Sequence, residues 1–254
     1  MLILSRQDIL GVFTMSDAIE ADRKAFRLHS EGRCEVPLRS HVDSPEGKGQ
    51  CLFMPAYAGG DINQAGIKIV SVFPGNASLG KPVIPATMLL IDGQTGEVFC
   101  IMEGTTLTQL RTAAVPGLAT ELLSREDSSI GALFGTGGQA PAQLEALMTA
   151  RKLKELRVFD MNLEKAALFV ETHQPLADRF GTRLISAGTS RQAVEGADVI
   201  TTVTTSPVPV FEGEWIKPGA HINAVGSYTP DKRELPSELI ARAGKIFVDN
   251  MEAV

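Results

Sequence analysis

The sequence has few of the residues that build metal sites and disulfide frameworks. Its 254 residues include three cysteines and four histidines. Cys34, Cys51 and Cys100 are odd in number and lack the paired spacing of zinc ligands. The histidines are equally scattered along the chain. We therefore expect reduced structural thiols in a cytoplasmic protein, and no bound metal.

Positive charge and long apolar runs are also scarce. The 24 Lys and Arg residues face 30 Asp and Glu, which gives a net charge of −6 and an isoelectric point near 5.3. This balance argues against a nucleic-acid partner or an anionic membrane surface. No run approaches the roughly 20 apolar residues that span a bilayer. Polar and acidic side chains come too early in the chain for a secretory signal.

Glycine is plentiful, and residues 129–160 arrange it in an order typical of a dinucleotide-binding βαβ unit. A short apolar run, residues 130–134, leads into G-x-G-x-x-A at Gly135, Gly137 and Ala140. A helical stretch of about four turns and a second apolar strand follow. The first glycine permits a tight turn, the second admits a pyrophosphate, and the small residue lets the helix pack on the strand. An ordinary glycine-rich turn is the alternative, and the flanking strand and helix favour the nucleotide site.

Asp160 closes the second strand of this unit. A carboxylate there can accept hydrogen bonds from the adenine ribose hydroxyls and would repel a 2′-phosphate. NAD(H) is therefore favoured and NADP(H) remains open. A solvated charge at the strand end is the alternative reading.

Two later predicted strands, in the stretches ADVITTVTT and PGAHINAVGS, end in small and polar residues. Ligands of open α/β sheets bind at the carboxyl ends of strands, so these residues are candidate contacts, although threonine in a strand is more often simply a β-former. Ser227 follows the second of the two strands and is a candidate for the substrate. The predicted cofactor-binding residues of this half are Gly135, Thr136, Gly137, Gly138, Gln139, Ala140, Asp160, Thr202, Thr204, Val225 and Gly226.

The predicted secondary structure divides the chain into two parts with different patterns. Residues 5–32 read as a helix, short strands follow from Val36, and a second helix begins near Thr105, where Pro116 should end or kink it. After that helix, strands alternate with helices and KIFVDN reads as the last strand. Alternation of this kind predicts a parallel sheet. The expected fold is α/β: a Rossmann-type doubly wound sheet over 113–254 and a smaller α+β domain over 1–112.

An ordered set of motifs resembles the ornithine cyclodeaminase/mu-crystallin family over nearly the whole chain. The set comprises LRSHV, FMPAY, GIKIV, DGQTGEV, LTQLRTAA, GTGGQA and INAVGSYTPDKREL. The resemblance implies a homodimer whose first domain binds substrate and mediates dimerisation, and whose second domain binds NAD(P). Family members include ornithine cyclodeaminases, alanine dehydrogenases and reductases of cyclic ketimines such as 1-pyrroline-2-carboxylate.

The resemblance also assigns roles to residues of the first domain. It implies that Arg39 and Lys68 hold the substrate carboxylate and act in catalysis, and that Arg111 and Thr112 meet the cofactor phosphates. A guanidinium fork suits a carboxylate, and Lys68 could donate a proton to an imine or a carbonyl. Without the family, Arg39 could form a surface ion pair, Lys68 could snorkel, and Arg111 could be an exposed helix charge.

The sequence departs from the family pattern in two places. Where cyclodeaminases carry an acid/base aspartate, this chain has Tyr228, and Asp231 matches the following turn instead. A phenol with a pKa near 10 is a poor base at neutral pH. The chain also stops after VDN, several tens of residues before family chains do, so the second domain is expected to be truncated and the site partly open.

These departures favour an NAD(P)H-dependent reductase or dehydrogenase of a small imino or 2-oxo acid. Two alternatives remain open. One is ornithine cyclodeamination, which forms proline and ammonia with bound NAD. The other is a non-catalytic protein, like mu-crystallin, that binds a nucleotide and a small carboxylate.

Overall fold

The chain divides into two units, Met1–Arg111 and Thr112–Val254, and the computed structural model describes residues 1–227 and 232–249. Within these ranges no helix is both long and apolar enough to cross a membrane. The first unit contains strands β1 (Leu2–Leu4), β2 (Cys34–Glu35), β3 (Ser40–Ser44), β4 (Gly49–Ala58), β5 (Gln64–Val72), β6 (Ala86–Asp92) and β7 (Val98–Glu103), with helices α1 (Arg6–Val12) and α2 (Met15–Ser30).

These seven strands form one sheet in the order β1-β7-β6-β5-β4-β2, with β3 also paired to β4. Only the β1–β7 pair is parallel among the described pairings. The β6–β7 hairpin turn is held by Asp92, whose Oδ1 accepts hydrogen bonds from the amides of Gln94 at 2.9 Å and Thr95 at 2.8 Å. Strand β5 lies inside the sheet, where Lys68 is paired with Met54 on one side and Met88 on the other.

The single helix predicted over residues 5–32 is wrong, because the chain forms two helices there. Thr14 accepts a hydrogen bond from the amide of Asp17 at 3.2 Å, and the Asp17 carboxylate accepts one from the amide of Thr14 at 2.9 Å. This reciprocal pair starts a new helix. Ser5 and Asp8 start α1 in the same way.

Within its described residues, the second unit is built on five strands. Its elements are β8 (Ile130–Phe134), α4 (Ala140–Ala150), β9 (Glu155–Phe159), α5 (Leu163–Phe180), β10 (Arg183–Ser186), α6 (Ser190–Val194), β11 (Val199–Thr202), β12 (His221–Ala224) and α7 (Ser237–Arg242), and the helix that leads into it is α3 (Gly104–Leu123). All pairings are parallel, in the order β10-β9-β8-β11-β12. The strand order reverses at β8, so the ends of β8 and β11 border a switch point, where open α/β sheets bind ligands.

Alternate residues of β8 enter the apolar cores on the two faces of this sheet. Leu133 packs with buried side chains of α4 and α5, including Leu144 and Phe169. Ala132 and Phe134 join a second cluster that contains buried residues of α6 and α7. Period-two alternation with helices on both faces confirms the predicted doubly wound sheet.

Asp198 stabilises the edge of this sheet at the amino-terminal ends of its strands, opposite the switch point. It is 5% exposed and forms ion pairs of 2.6 Å with both Arg125 and Lys217. Its other oxygen accepts the amides of Ser129 and Ile130, each at 2.9 Å. Burial opposes ionisation, but the hydrogen bonds from Lys217 and the two amides outweigh it and lower the pKa of Asp198 to about 2.

Helix α3 runs through Pro116 to Leu123, so Pro116 does not end it. The Glu103 carboxylate accepts hydrogen bonds from the first amides of this helix, those of Thr105 and Thr106, at 2.7 and 2.8 Å. Two other local predictions in this part of the chain are wrong. The cap of α6 is Thr189, one residue before the predicted Ser190. Residues 245–249 form no strand in the described part of KIFVDN.

Candidate active site

The turn after β8 has the shape that the glycine spacing predicts. Gly135 adopts φ +95°, and a side chain there would place its Cβ 2.9 Å from the Val203 carbonyl oxygen. Its amide donates to Phe159 O at 2.9 Å, and the Val203 amide donates to Phe134 O at 2.9 Å. Only glycine fits this left-handed, crowded position, which joins the ends of β8, β9 and β11.

The next part of the turn leaves room beside the backbone. A Cβ at Gly137 or Gly138 would meet no described atom within 4 Å. Helix α4 then begins at the fully buried Ala140, and among the described residues no side chain caps it; its N-cap residue is Gln139. Two of the first amide positions are not available to a ligand, because Ala140 donates to Gly137 O at 3.0 Å and Pro141 has no amide hydrogen. The partial positive charge of an uncapped helix start still suits an anion.

Two buried oxygen atoms at this place have no hydrogen-bond partner within the described chain. They are Oγ1 of Thr112 and Oε1 of Gln139. Thr112 lies against α4, because Gln143 Nε2 donates to its carbonyl oxygen at 3.2 Å. An unpaired buried hydroxyl costs about 1–3 kcal/mol unless a ligand meets it. The Thr112 hydroxyl and the open glycine backbone therefore fit a dinucleotide pyrophosphate.

Asp160 lies at the other side of the glycine turn. Its Oδ2 accepts hydrogen bonds from the amide and hydroxyl of Thr136, at 3.1 and 2.8 Å, and its Oδ1 accepts the amide of Asn162 at 2.9 Å. The carboxylate thus anchors the turn as well as ending β9. It is half-buried, and a carboxylate has lone pairs beyond those used by these three hydrogen bonds; binding of ribose hydroxyls by Asp160 stays a prediction.

The predicted contacts at the ends of β11 and β12 converge on one carboxylate, that of Glu234, which is 1% exposed. Its Oε1 accepts the amide and hydroxyl of Thr204 at 2.6 and 2.7 Å. Its Oε2 accepts the hydroxyl of Thr202 at 2.9 Å and the amide of Gly226 at 2.7 Å. Both threonine hydroxyls are thereby engaged within the protein, so we expect these residues to shape the crevice through Glu234.

Neighbouring backbone is equally constrained. A Cβ at Gly226 would lie 2.1 Å from the Thr204 carbonyl oxygen, so only glycine fits. Val225 donates its amide to Thr202 O at 2.9 Å, and Ser227 accepts the Glu234 amide at 3.0 Å. Tyr228 and Asp231, at the position of the family aspartate and in the turn after it, lie outside the described residues.

In the first unit, Lys68 lies within electrostatic range of two arginines. Burial, then the charges of Arg111 and Arg39, lower its pKa to about 8. Arg39 is exposed just before β3, and Arg111 is exposed on α3. A half-buried ammonium beside two guanidinium groups favours an anionic ligand, because each cation is destabilised by the others. The three cations predicted from the sequence are thus close enough to interact.

An acid that was not identified from the sequence lies within electrostatic range of Arg111. Asp22, on α2, has an oxygen that is buried without a hydrogen-bond partner in the described chain. Burial raises its pKa to about 6, although the charge of Arg111 opposes the rise. Its spacing from Ala18 and Ile19, both buried on α2, places it on the apolar face of that helix. An acid at an apolar position was the signal that could have identified it.

Glu234 and Gln143 were also missed. Glu234 lies 30 residues from Thr204, and Gln143 lies 31 from Thr112. Partners this far apart in the sequence form no local pattern that could reveal them. A buried glutamine at a core position of α4 was the only available signal for Gln143.

Comparisons with known proteins agree with this arrangement. The family model described as "Ornithine cyclodeaminase/mu-crystallin family" matches residues 1–254. A Delta(1)-pyrroline-2-carboxylate reductase of Bacillus cereus is 35% identical over 253 residues, which is 100% of this chain and 76% of the relative.

Two solved structures share the fold. The Thermococcus litoralis Delta(1)-pyrroline-2-carboxylate reductase in complex with NADH and L-proline has a TM-score of 0.86 and 36% identity, and the match covers 96% of this chain and 74% of that one. An archaeal alanine dehydrogenase dimer with bound NAD has a TM-score of 0.89 and 34% identity, with 100% and 75% coverage. The resemblance inferred from the ordered motifs is therefore confirmed, and the chain belongs to the ornithine cyclodeaminase/mu-crystallin family.

Proposed function

We propose that the chain is an NAD(H)-dependent reductase of small imino or 2-oxo acids, with a cyclic ketimine such as 1-pyrroline-2-carboxylate as its substrate. The family supports an oxidoreductase, and the relatives named above are a pyrroline-2-carboxylate reductase and an alanine dehydrogenase. The observation that carries the substrate class is Lys68, a half-buried ammonium whose pKa is lowered to about 8 beside two arginines. Three cations within electrostatic range of one another fit a carboxylate-bearing substrate.

The residues of the first unit bind and protonate the substrate in this proposal. Arg39 holds the carboxylate through its guanidinium fork. Lys68 donates a proton to the imine nitrogen as that nitrogen becomes an amine. A pKa near 8 suits this role, because the ammonium form predominates at neutral pH and yet gives up its proton readily. Burial and the neighbouring charges, which lower the pKa, therefore contribute to catalysis.

The residues of the second unit hold the dinucleotide, which supplies the hydride when bound. The glycine turn at 135–138, the start of α4 and the Thr112 hydroxyl bind the pyrophosphate. Arg111, the residue before Thr112, contributes charge toward the same phosphates. Asp160 receives the ribose hydroxyls and disfavours a 2′-phosphate, and the related structures with bound NADH or NAD support the same choice.

The proposal also covers the cellular compartment, the oligomeric state and the role of each unit. We propose a cytoplasmic homodimer whose first unit binds substrate and mediates dimerisation and whose second unit, which begins at Thr112, binds NAD(H). The three cysteines are free thiols, as a reducing compartment requires. The related alanine dehydrogenase is a dimer.

The test is NADH consumption by the purified chain, with 1-pyrroline-2-carboxylate in one assay and pyruvate plus ammonia in another. Lys68→Met removes the proton donor, and Lys81→Met, at an exposed lysine, is the matched control. We expect turnover that Lys68→Met reduces at least a hundredfold and Lys81→Met leaves intact. A parallel assay of ornithine with NAD measures ammonia. Ammonia and proline from ornithine would establish the cyclodeaminase instead, and NADH binding without turnover of any substrate would establish the binding protein.

A further inference from the structure

Helix α3 contains a proline where its hydrogen-bond ladder should be continuous. Pro116 has no amide hydrogen, so the carbonyl of Thr112, four residues earlier, loses its helical donor. The helix nevertheless extends from Gly104 to Leu123. Pro116 is buried, and water is therefore poorly placed to replace the lost bond.

Gln143 supplies the missing donor. Its Nε2 lies 3.2 Å from the Thr112 carbonyl oxygen, and its side chain is 1% exposed. A second proline, Pro175 in α5, provides a comparison. Pro175 and Glu171, whose carbonyl it leaves without a donor, are both exposed, so water can serve that carbonyl.

The hydrogen bond joins two parts of the proposed pyrophosphate site. Gln143 belongs to α4, one turn after the uncapped start of that helix at Ala140. Thr112 carries the buried hydroxyl that has no partner in the described chain. The carbonyl that proline leaves without a helical donor thus holds Thr112 against the helix whose start belongs to the proposed pyrophosphate site.

We propose that Gln143 is a positioning residue for cofactor binding, which acts by replacing the hydrogen bond that Pro116 removes from Thr112. The inference rests on the proposed dinucleotide site. It predicts that Gln143 and Pro116 are coupled: with an amide restored at position 116, the carbonyl has a donor again and Gln143 becomes dispensable. Gln143 itself does not touch the cofactor.

A double-mutant cycle tests this coupling. Gln143→Met keeps the side-chain length without the donor, and Pro116→Ala restores the helical amide. Gln174→Met, a glutamine on α5 that bonds Asp178 instead, is the matched control. Dissociation constants for NADH and for ADP-ribose are measured by titration, and the KM for NADH is compared with kcat.

Gln143→Met is expected to weaken NADH and ADP-ribose by the same factor, about fivefold, as for one hydrogen bond. The KM for NADH should rise with kcat unchanged. In the Pro116→Ala background the loss should fall below twofold, and Gln174→Met should bind as the wild type does. Equal loss in both backgrounds would overturn the route through the Thr112 carbonyl. A lower unfolding temperature with unchanged binding would overturn the positioning role. If the wild type binds neither nucleotide, the proposed function fails first, and that result is visible before any variant is made.

Discussion

Replacement of Glu234 by glutamine isolates the charge that holds the ends of β11 and β12 together. The substitution keeps the size of the side chain and converts one acceptor oxygen into an NH2 donor. In the wild type, Oε1 of Glu234 accepts the Thr204 amide and Oε2 accepts the Gly226 amide. In either orientation of the new amide group, its NH2 opposes a backbone N–H that cannot accept a hydrogen bond.

The expected cost follows from this geometry. One buried backbone amide loses its acceptor, which costs about 1–3 kcal/mol, and the remaining donors bond a neutral oxygen instead of a charged one, which weakens each. We expect the free energy of unfolding to fall by about 3 kcal/mol in total. For a chain of this size the unfolding temperature would fall by roughly 6–12 °C.

The chain offers a suitable probe for this measurement. Trp215 is its single tryptophan and lies in the second unit, in the short 3₁₀ turn Gly213–Trp215. Urea unfolding followed by its fluorescence therefore reports on the unit that contains Glu234. Glu238→Gln, at an exposed position of α7, is the control and should stay within about 0.5 kcal/mol of the wild type. A similarly small change in Glu234→Gln would refute the assignment of Glu234 as the residue that joins these strands.

Three further predictions concern single charges. Imine reduction should decline as the pH rises through about 8, because Lys68 loses its proton there and only the ammonium form can donate one. The pH–rate profile of Lys68→Arg should lack this decline near pH 8. Asp198→Asn should lower the free energy of unfolding at pH 7 by about 2 kcal/mol through lost charged hydrogen bonds, measured by urea titration. Because its pKa is lowered to about 2, the stabilisation by Asp198 should be complete above its unfolded value of 3.8 and disappear as the pH falls toward 2; an equally acid-sensitive Asp198→Asn would contradict this. Asp160→Ser removes a charge that repels a 2′-phosphate and should narrow the preference for NADH over NADPH by roughly fivefold, whereas an unchanged ratio of kcat/KM values would place the discrimination elsewhere.

The nucleotide-binding part of the fold could be predicted from the sequence because its signals are local. A strand, a left-handed glycine, a small residue at the start of a helix and an acid after the next strand lie within residues 129–160, and Gly135 adopts the required positive φ. The boundaries that failed were decided by single side chains. Thr14 with Asp17 starts a new helix inside the predicted one, and Thr189, one residue before the predicted cap, caps α6.

The polar contacts of the site could not be predicted in the same way. Thr202 and Thr204 were identified from their place at a strand end, yet their hydroxyls bond Glu234, which lies 32 and 30 residues later. Burial raises the pKa of Asp22 against the opposing charge of Arg111, and no sequence window contains the packing that buries it. The roles of Arg39, Lys68, Arg111 and Ser227 toward substrate and cofactor remain predictions that the experiments above test.

Transfer of isotope from cofactor to product tests the central claim most directly. The chain is incubated with 1-pyrroline-2-carboxylate and NADH that carries deuterium on the transferred position of the nicotinamide, and the proline formed is analysed by mass spectrometry. We expect proline with one deuterium at its α-carbon, formed in equal amount to the NADH consumed. Unlabelled proline, or no proline while NADH remains bound, would contradict it.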